Sequence, residues 1–157
     1  MNLTFKRLLL YFIFLPLCIQ AQEMRTVCIP KGTNVSIRII ETINSQEAHK
    51  KKTAPQAVVS GDVWDANGEI ILIKGGTPVS VQMKSKRATC VGDVGSVEIQ
   101  PISTVAYNGR LITFDGERPI IFKGNEDAVF TSQKKVIVVA GTPLIATISN
   151  DYCFKIP

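Results

Sequence analysis

From residue 22 onward no stretch of this chain returns its apolar residues every three or four positions. They alternate, or gather in short β-branched blocks, and neither pattern lays an apolar stripe along a helix. Val35, Ile37 and Ile39 alternate with Ser36 and Arg38. Val79, Val81 and Met83 alternate with Ser80, Gln82 and Lys84, and Val97 and Ile99 with Glu98 and Gln100. Short, mainly apolar runs fill 70–73, 111–114, 120–122, 136–139 and 144–148. Asn67-Gly68 and Asn108-Gly109 between them read as two-residue hairpins with positive φ at both positions. Asp115-Gly116 and Gly124-Asn125 are weaker turn signals. Strands so spaced predict an all-β barrel or sandwich. The expected core is Val35, Ile37, Ile39, Val63, Ile71, Ile73, Val79, Val81, Val97, Ile99, Ile112, Phe114, Val138 and Ile148.

Residues 1–21 stand apart. Lys6 and Arg7 precede an apolar run over 8–19, and Ala21 supplies a small residue before Gln22. This is the pattern of a cleaved secretory signal peptide, with 22–157 as the single mature domain. The run is too short to span a ~30 Å hydrocarbon core, and no second run of 18 apolar residues follows, so no transmembrane span is expected in the mature chain. Periplasm is the expected compartment. Lipidation at Cys18 is the alternative, disfavoured because Leu17 before it is not small. The whole chain has 157 residues and a formal net charge of +5. Cleavage removes Lys6 and Arg7 and no carboxylate, leaving +3. That is too mild for nucleic acid unless clustered, and the one cluster, Lys50, Lys51 and Lys52 beside His49, lacks interleaved aromatics and reads as a solvated loop over 44–55.

One unit occurs three times. Ile-Pro-Lys-Gly32-Thr33, Ile-Lys-Gly-Gly76-Thr77-Pro and Val-Ala-Gly141-Thr142-Pro each join an apolar run to an alternating one. A strand that turns a corner needs a residue tolerant of positive φ, and Thr can bond the local backbone as the extended chain restarts. Gly32, Thr33, Gly76, Thr77, Gly141 and Thr142 are therefore expected to be structural corners, with chance recurrence as the bland alternative.

The order of these motifs resembles a group of exported bacterial β-barrel domains. These include the C-terminal domain of the type IV secretion core-complex protein that bridges inner and outer membranes, and related uncharacterised periplasmic proteins. Gly32-Thr33, Ile43-Asn44-Ser45, Asn67-Gly68, Gly76-Thr77, Arg87, Gly95 and Asn108-Gly109 occupy the places of that plan, over about 27–124, with a third corner at 139–148. The resemblance implies a single small β-barrel, closed or partly open, built from hairpins. It implies a role in binding or assembly within the envelope, related to secretion or conjugation machinery. The secretion protein's transmembrane helix, Pro-rich linker and helical hairpin have no counterpart here.

Chemistry-bearing residues are sparse. His49 is the only histidine, so any Ser-His-Asp or Cys-His device must use it, and nothing around it fixes a tautomer. Asp62 and Asp65 flank Trp64, and Asp115 lies near Glu117, but alternation puts Asp62 and Trp64 on one face and Asp65 on the other. No His, Cys or carboxylates cluster as metal ligands, and no cofactor is expected. Trp64, the sole tryptophan, is read as packing over a barrel end, with stacking on a sugar as the alternative. Arg87 is read as pairing with an acidic neighbour, with anion binding as the alternative. If the corners are equivalent, Cys90 and Cys153 sit near matching strand ends, making Cys90–Cys153 the candidate disulfide; three free thiols are the alternative. The expectation is a non-catalytic exported envelope module that binds another envelope protein or itself and no nucleic acid. The alternative is a small cell-wall or polysaccharide hydrolase using carboxylates.

Overall fold

The computed structural model describes residues 24–48, 54–88, 94–116, 119–124 and 134–156. Residues 1–23, with the expected signal segment, and His49, Lys50–Lys52, Cys90 and Glu117 lie outside the described residues. Of the described residues 54% are strand and 4% helix, so the chain is all-β. In chain order the elements are β1 Arg25–Ile29, β2 Asn34–Ile39, β3 Ile43–Asn44, the single turn α1 Ser45–Ala48, β4 Ala57–Val59, β5 Val63–Trp64, β6 Ile71–Ile73 and β7 Pro78–Lys86. There follow β8 Ser96–Val105, β9 Leu111–Thr113, β10 Ile120–Lys123, β11 Ile137–Val138, β12 Pro143–Thr147 and β13 Tyr152–Ile156.

Seven strands form one antiparallel sheet in the order β10-β8-β7-β4-β2-β12, with β9 also paired to β8. It curls into a half-barrel. Two-stranded ribbons β1/β13, β3/β11 and β5/β6 complete the fold. The alternation in the sequence decides which face is inside. In β2, Val35, Ile37 and Ile39 are fully buried and Asn34, Ser36 and Arg38 are exposed.

Strand β8 breaks that rule at a definable place. Val97, Ile99 and Pro101 point inward, and then the inward set shifts to Thr104. The register with β7 passes from Val81↔Pro101 to Ser80↔Ser103, so Ile102 is the extra residue of a β-bulge. Pro101 has no N–H to give the ladder, and a bulge is where a central strand tolerates that. The expected core is otherwise found buried, except that Val63 and Ile71 are only half-buried. Leu72 and Ile73 are both fully buried, because the β8–β9 hairpin crosses β6, with Tyr107 N–H donating to the Leu72 carbonyl at 2.9 Å.

The Asn-Gly turns differ from expectation. Gly68 and Gly109 have positive φ, but no non-glycine residue among the described residues does, Asn67 and Asn108 included. Gly109 N–H donates to Ala106 O and Ala106 N–H to Arg110 O, both at 2.9 Å, so the loop has three residues rather than two. A type I turn followed by a left-handed glycine gives the same strand twist as a two-residue primed turn.

The three Gly-Thr turns share one geometry. Gly32, Gly76 and Gly141 have φ of 87°, 85° and 92°. Thr33, Thr77 and Thr142 each donate an N–H to the carbonyl three residues back, at 3.2, 3.1 and 3.0 Å. The same carbonyls accept the threonine hydroxyls at 2.7, 2.6 and 2.6 Å. Positive φ at the third position of such a turn is the type II signature. Each turn is also tied to a distant strand end. Gly32, Gly76 and Gly141 donate to Ile148, Val59 and Ile39, and those residues donate back to Thr33, Thr77 and Thr142. A Cβ on any of the three glycines would meet nothing within 4 Å, so substitution costs backbone strain alone. Gly32→Val, Gly76→Val and Gly141→Val should each lose about 1–3 kcal/mol, and nearly the same amount, in urea unfolding.

The cysteine pairing corrects the sequence expectation. Cys153 is bonded to Cys28, not to Cys90, with Cα atoms 4.1 Å apart. Inferring Cys90–Cys153 required strands equivalent by local turn position, whereas β1 and β13 pair directly, with Cys28 opposite Cys153 in the register. Close Cα approach marks a non-hydrogen-bonded antiparallel pair, where two side chains lie near enough to bond.

Candidate functional site

Three surfaces gather side chains with chemical or binding capacity. The first is the outer face of the large sheet. Register places Pro143, Arg38, Val58 and Pro78 in one row across β12, β2, β4 and β7. Ile145 stands further along β12 at 65% exposure, Ile40 follows Arg38 beyond β2, and Val139 enters the third Gly-Thr turn at 60% exposure. Alternation that buries Leu144 and Ala146 forces Ile145 outward; what is unusual is that the outward residue is apolar. The result is an exposed apolar strip on paired strands around Arg38.

The second surface is an open groove of about 330 Å³ where the first Gly-Thr turn and β2 meet the β4–β5 link. Asp62 and Trp64 both line it, as their alternation predicts, together with Thr33, Asn34 and Ser36. Trp64 is 48% exposed, so its ring does not pack away over a barrel end. The polar groups are held: Asp62 Oδ1 accepts Gly75 N–H at 2.7 Å, and Asn34 Oδ1 accepts the Thr147 hydroxyl at 3.1 Å.

The third is a cleft of about 170 Å³ that includes Glu41 and Glu47 among its walls. Glu41 Oε1 accepts Gln56 N–H at 2.7 Å. Sequence reading missed this pair because Glu41 precedes β3 and Glu47 lies within α1, and only the short β3–α1 turn of chain brings them to one cleft.

Asp62 and Asp65 are not brought together. Asp65 is buried and accepts Glu69 N–H at 2.8 Å and Ile70 N–H at 2.9 Å, closing the β5–β6 loop. The Ile70 bond leads in holding its carboxyl below the usual aspartate range; burial opposes this, and the Glu69 and Asn67 N–H groups and Arg25 reinforce it. A depressed folded value means stabilisation present above the unfolded value and lost as pH falls through the folded one. Wild type should therefore exceed Asp65→Asn in stability at neutral pH, and urea midpoints of the two should converge below about pH 4. Arg87 donates to neutral Gln46 at 3.1 Å, and among the described residues no carboxylate pairs with it.

Among the described residues no three His, Cys, Asp or Glu side chains gather as a metal site. None of their helices is long and apolar enough to cross a membrane. No protein-family model matches the chain, and no curated protein matches it.

Proposed function

We propose that this chain is a non-catalytic, exported cell-envelope module that docks another envelope protein, or a second copy of itself, through the outer face centred on Arg38 and Ile145. The observation that carries the reading is the apolar strip of Ile40, Val139, Pro143 and Ile145 on a face whose opposite side is a filled core. Exposed apolar residues that cluster, rather than scatter, mark interaction surfaces. The resemblance to the type IV secretion barrel domain supports the same class of role, and the Cys28–Cys153 disulfide suits the oxidising compartment that a cleaved signal peptide implies.

The fold part of the proposal is a single small barrel with the three Gly-Thr turns as its corners. Its seam is Phe114–Ile148, the isolated bridge that joins the β9 side of the sheet to the β12 side. Asp115 N–H donates to Thr147 O at 2.7 Å and Ser149 N–H to Thr113 O at 3.1 Å along that seam. The Tyr152 hydroxyl reinforces it, accepting Thr113 N–H at 2.9 Å.

In-cell crosslinking of the tagged protein tests the docking face. Ile145→Glu places a charge in the strip without touching the core, and it should abolish the crosslinked species while leaving the melting temperature unchanged. An undiminished crosslink would refute this face. The hydrolase alternative has one observation in its favour, the shared cleft of Glu41 and Glu47. It requires turnover of a glycan that Glu47→Gln eliminates.

A further inference from the structure

We infer that the Trp64 groove is a binding site for a neutral, pyranose-containing oligosaccharide. The inference does not rest on the docking reading, although the two surfaces adjoin: Ser36 stands opposite Ile145 in the β2/β12 register. Trp64 carries the largest apolar side chain type, and the fold leaves it 48% exposed beside polar groups instead of on the apolar strip. The C–H face of a pyranose ring carries partial positive charge and settles on the negative face of an indole. The hydroxyl rim of the same ring needs donors and acceptors at its edge. Thr33, Asn34 and Ser36 supply that edge chemistry from the first turn and β2, and Asp62 supplies it from Trp64's own segment.

The edge is built before any ligand arrives. Asp62 is fixed by Gly75 N–H, Asn34 by the Thr147 hydroxyl, and Thr33 by its bond to Pro30 O. Fixed partners lower the ordering cost that limits small-ligand affinity. Ser36 projects from the outward face of β2, and its hydroxyl has no protein partner among the described residues. At about 330 Å³ the groove is at the small end of ligand pockets, enough for one or two sugar rings of a longer chain. Among the described residues that line it, the one ionisable group is the Asp62 carboxylate, which accepts from sugar hydroxyls and repels an acidic sugar. The ligand class is therefore neutral.

Trp64 is the sole tryptophan, so intrinsic emission reports this groove alone. Purified mature protein is titrated with hexamers of β-1,4-glucose, α-1,4-glucose, β-1,3-glucose and β-1,4-N-acetylglucosamine. At least one should change the emission saturably, with a Kd of roughly 0.1–1 mM. Binding of that hexamer, followed by isothermal titration, should weaken at least tenfold in Trp64→Ala and severalfold in Ser36→Val. Ser36→Val exchanges an exposed hydroxyl for methyl groups outside the core, and its unchanged melting temperature separates lost binding from lost folding. The inference is overturned if no hexamer gives a saturable change, if both groove variants bind within twofold of wild type, or if polygalacturonate binds more tightly than every neutral chain.

Discussion

Replacing Cys28 and Cys153 together by serine should destabilise the protein by about 2–5 kcal/mol, the largest loss expected from any pair of surface-accessible residues here. The bridge joins residues 125 positions apart, so it closes most of the 157-residue chain into one loop. In the chain-entropy account long loops gain most, because the cross-link removes the most conformations from the unfolded ensemble. The native side contributes too: β1 and β13 pair with each other and lie off the large sheet, so their docking depends on Val27, Ile29, Tyr152 and Phe154 beneath them. For a domain of this size the melting temperature should fall on the order of 10 °C. Peptide mapping of denatured, unreduced wild type should find Cys28 and Cys153 in one cross-linked pair and Cys90 alkylated. An unchanged melting temperature in the double variant would show that the strands hold without the bond.

Gly124→Ala is the second large effect, and its cause is contact rather than φ. A Cβ there would lie 2.1 Å from the Lys134 carbonyl oxygen and 2.7 Å from its carbon. Both neighbours are backbone, and no rotamer change relieves them. Gly124 N–H donates to Gly95 O, and Gly95 N–H donates to Lys134 O, each at 3.0 Å, so moving one segment breaks a chain of bonds. Next to this knot Ser45 is fully buried, with Val136 N–H donating to its Oγ at 3.0 Å. The substitution should cost about 3 kcal/mol, the upper end for overpacking. Gly32→Ala, whose Cβ meets open space, should cost about 1 kcal/mol. Equal urea midpoints for the two variants would contradict the contact argument.

The parts of the fold legible in sequence are those set by neighbours along the chain. The alternation of Val35, Ile37 and Ile39 fixed the inward face of β2, and the recurrence of Gly-Thr marked three turns of one geometry. What was not legible depends on pairing over long separations. Nothing local to Cys28 names Cys153 as its partner, since that follows only when the first and last strands meet. The shift of the inward set in β8 needed the bulge at Ile102, which Pro101 hints at but does not locate. Trp64 was placed on the right face beside Asp62, yet its exposure depends on how β5 lies against β2. The Glu41–Glu47 cleft needed the turn of chain through β3 and α1, too short to leave a period in the sequence.

The central claim, an exported module closed by one disulfide, is tested most directly by the intact mass of the protein recovered from its native cells without reduction. The account expects a chain beginning at Gln22, two hydrogen atoms lighter than its fully reduced form, in the envelope fraction. Recovery of the full-length chain from the cytosol with every thiol free, or of a chain carrying a lipid adduct at Cys18, would contradict it.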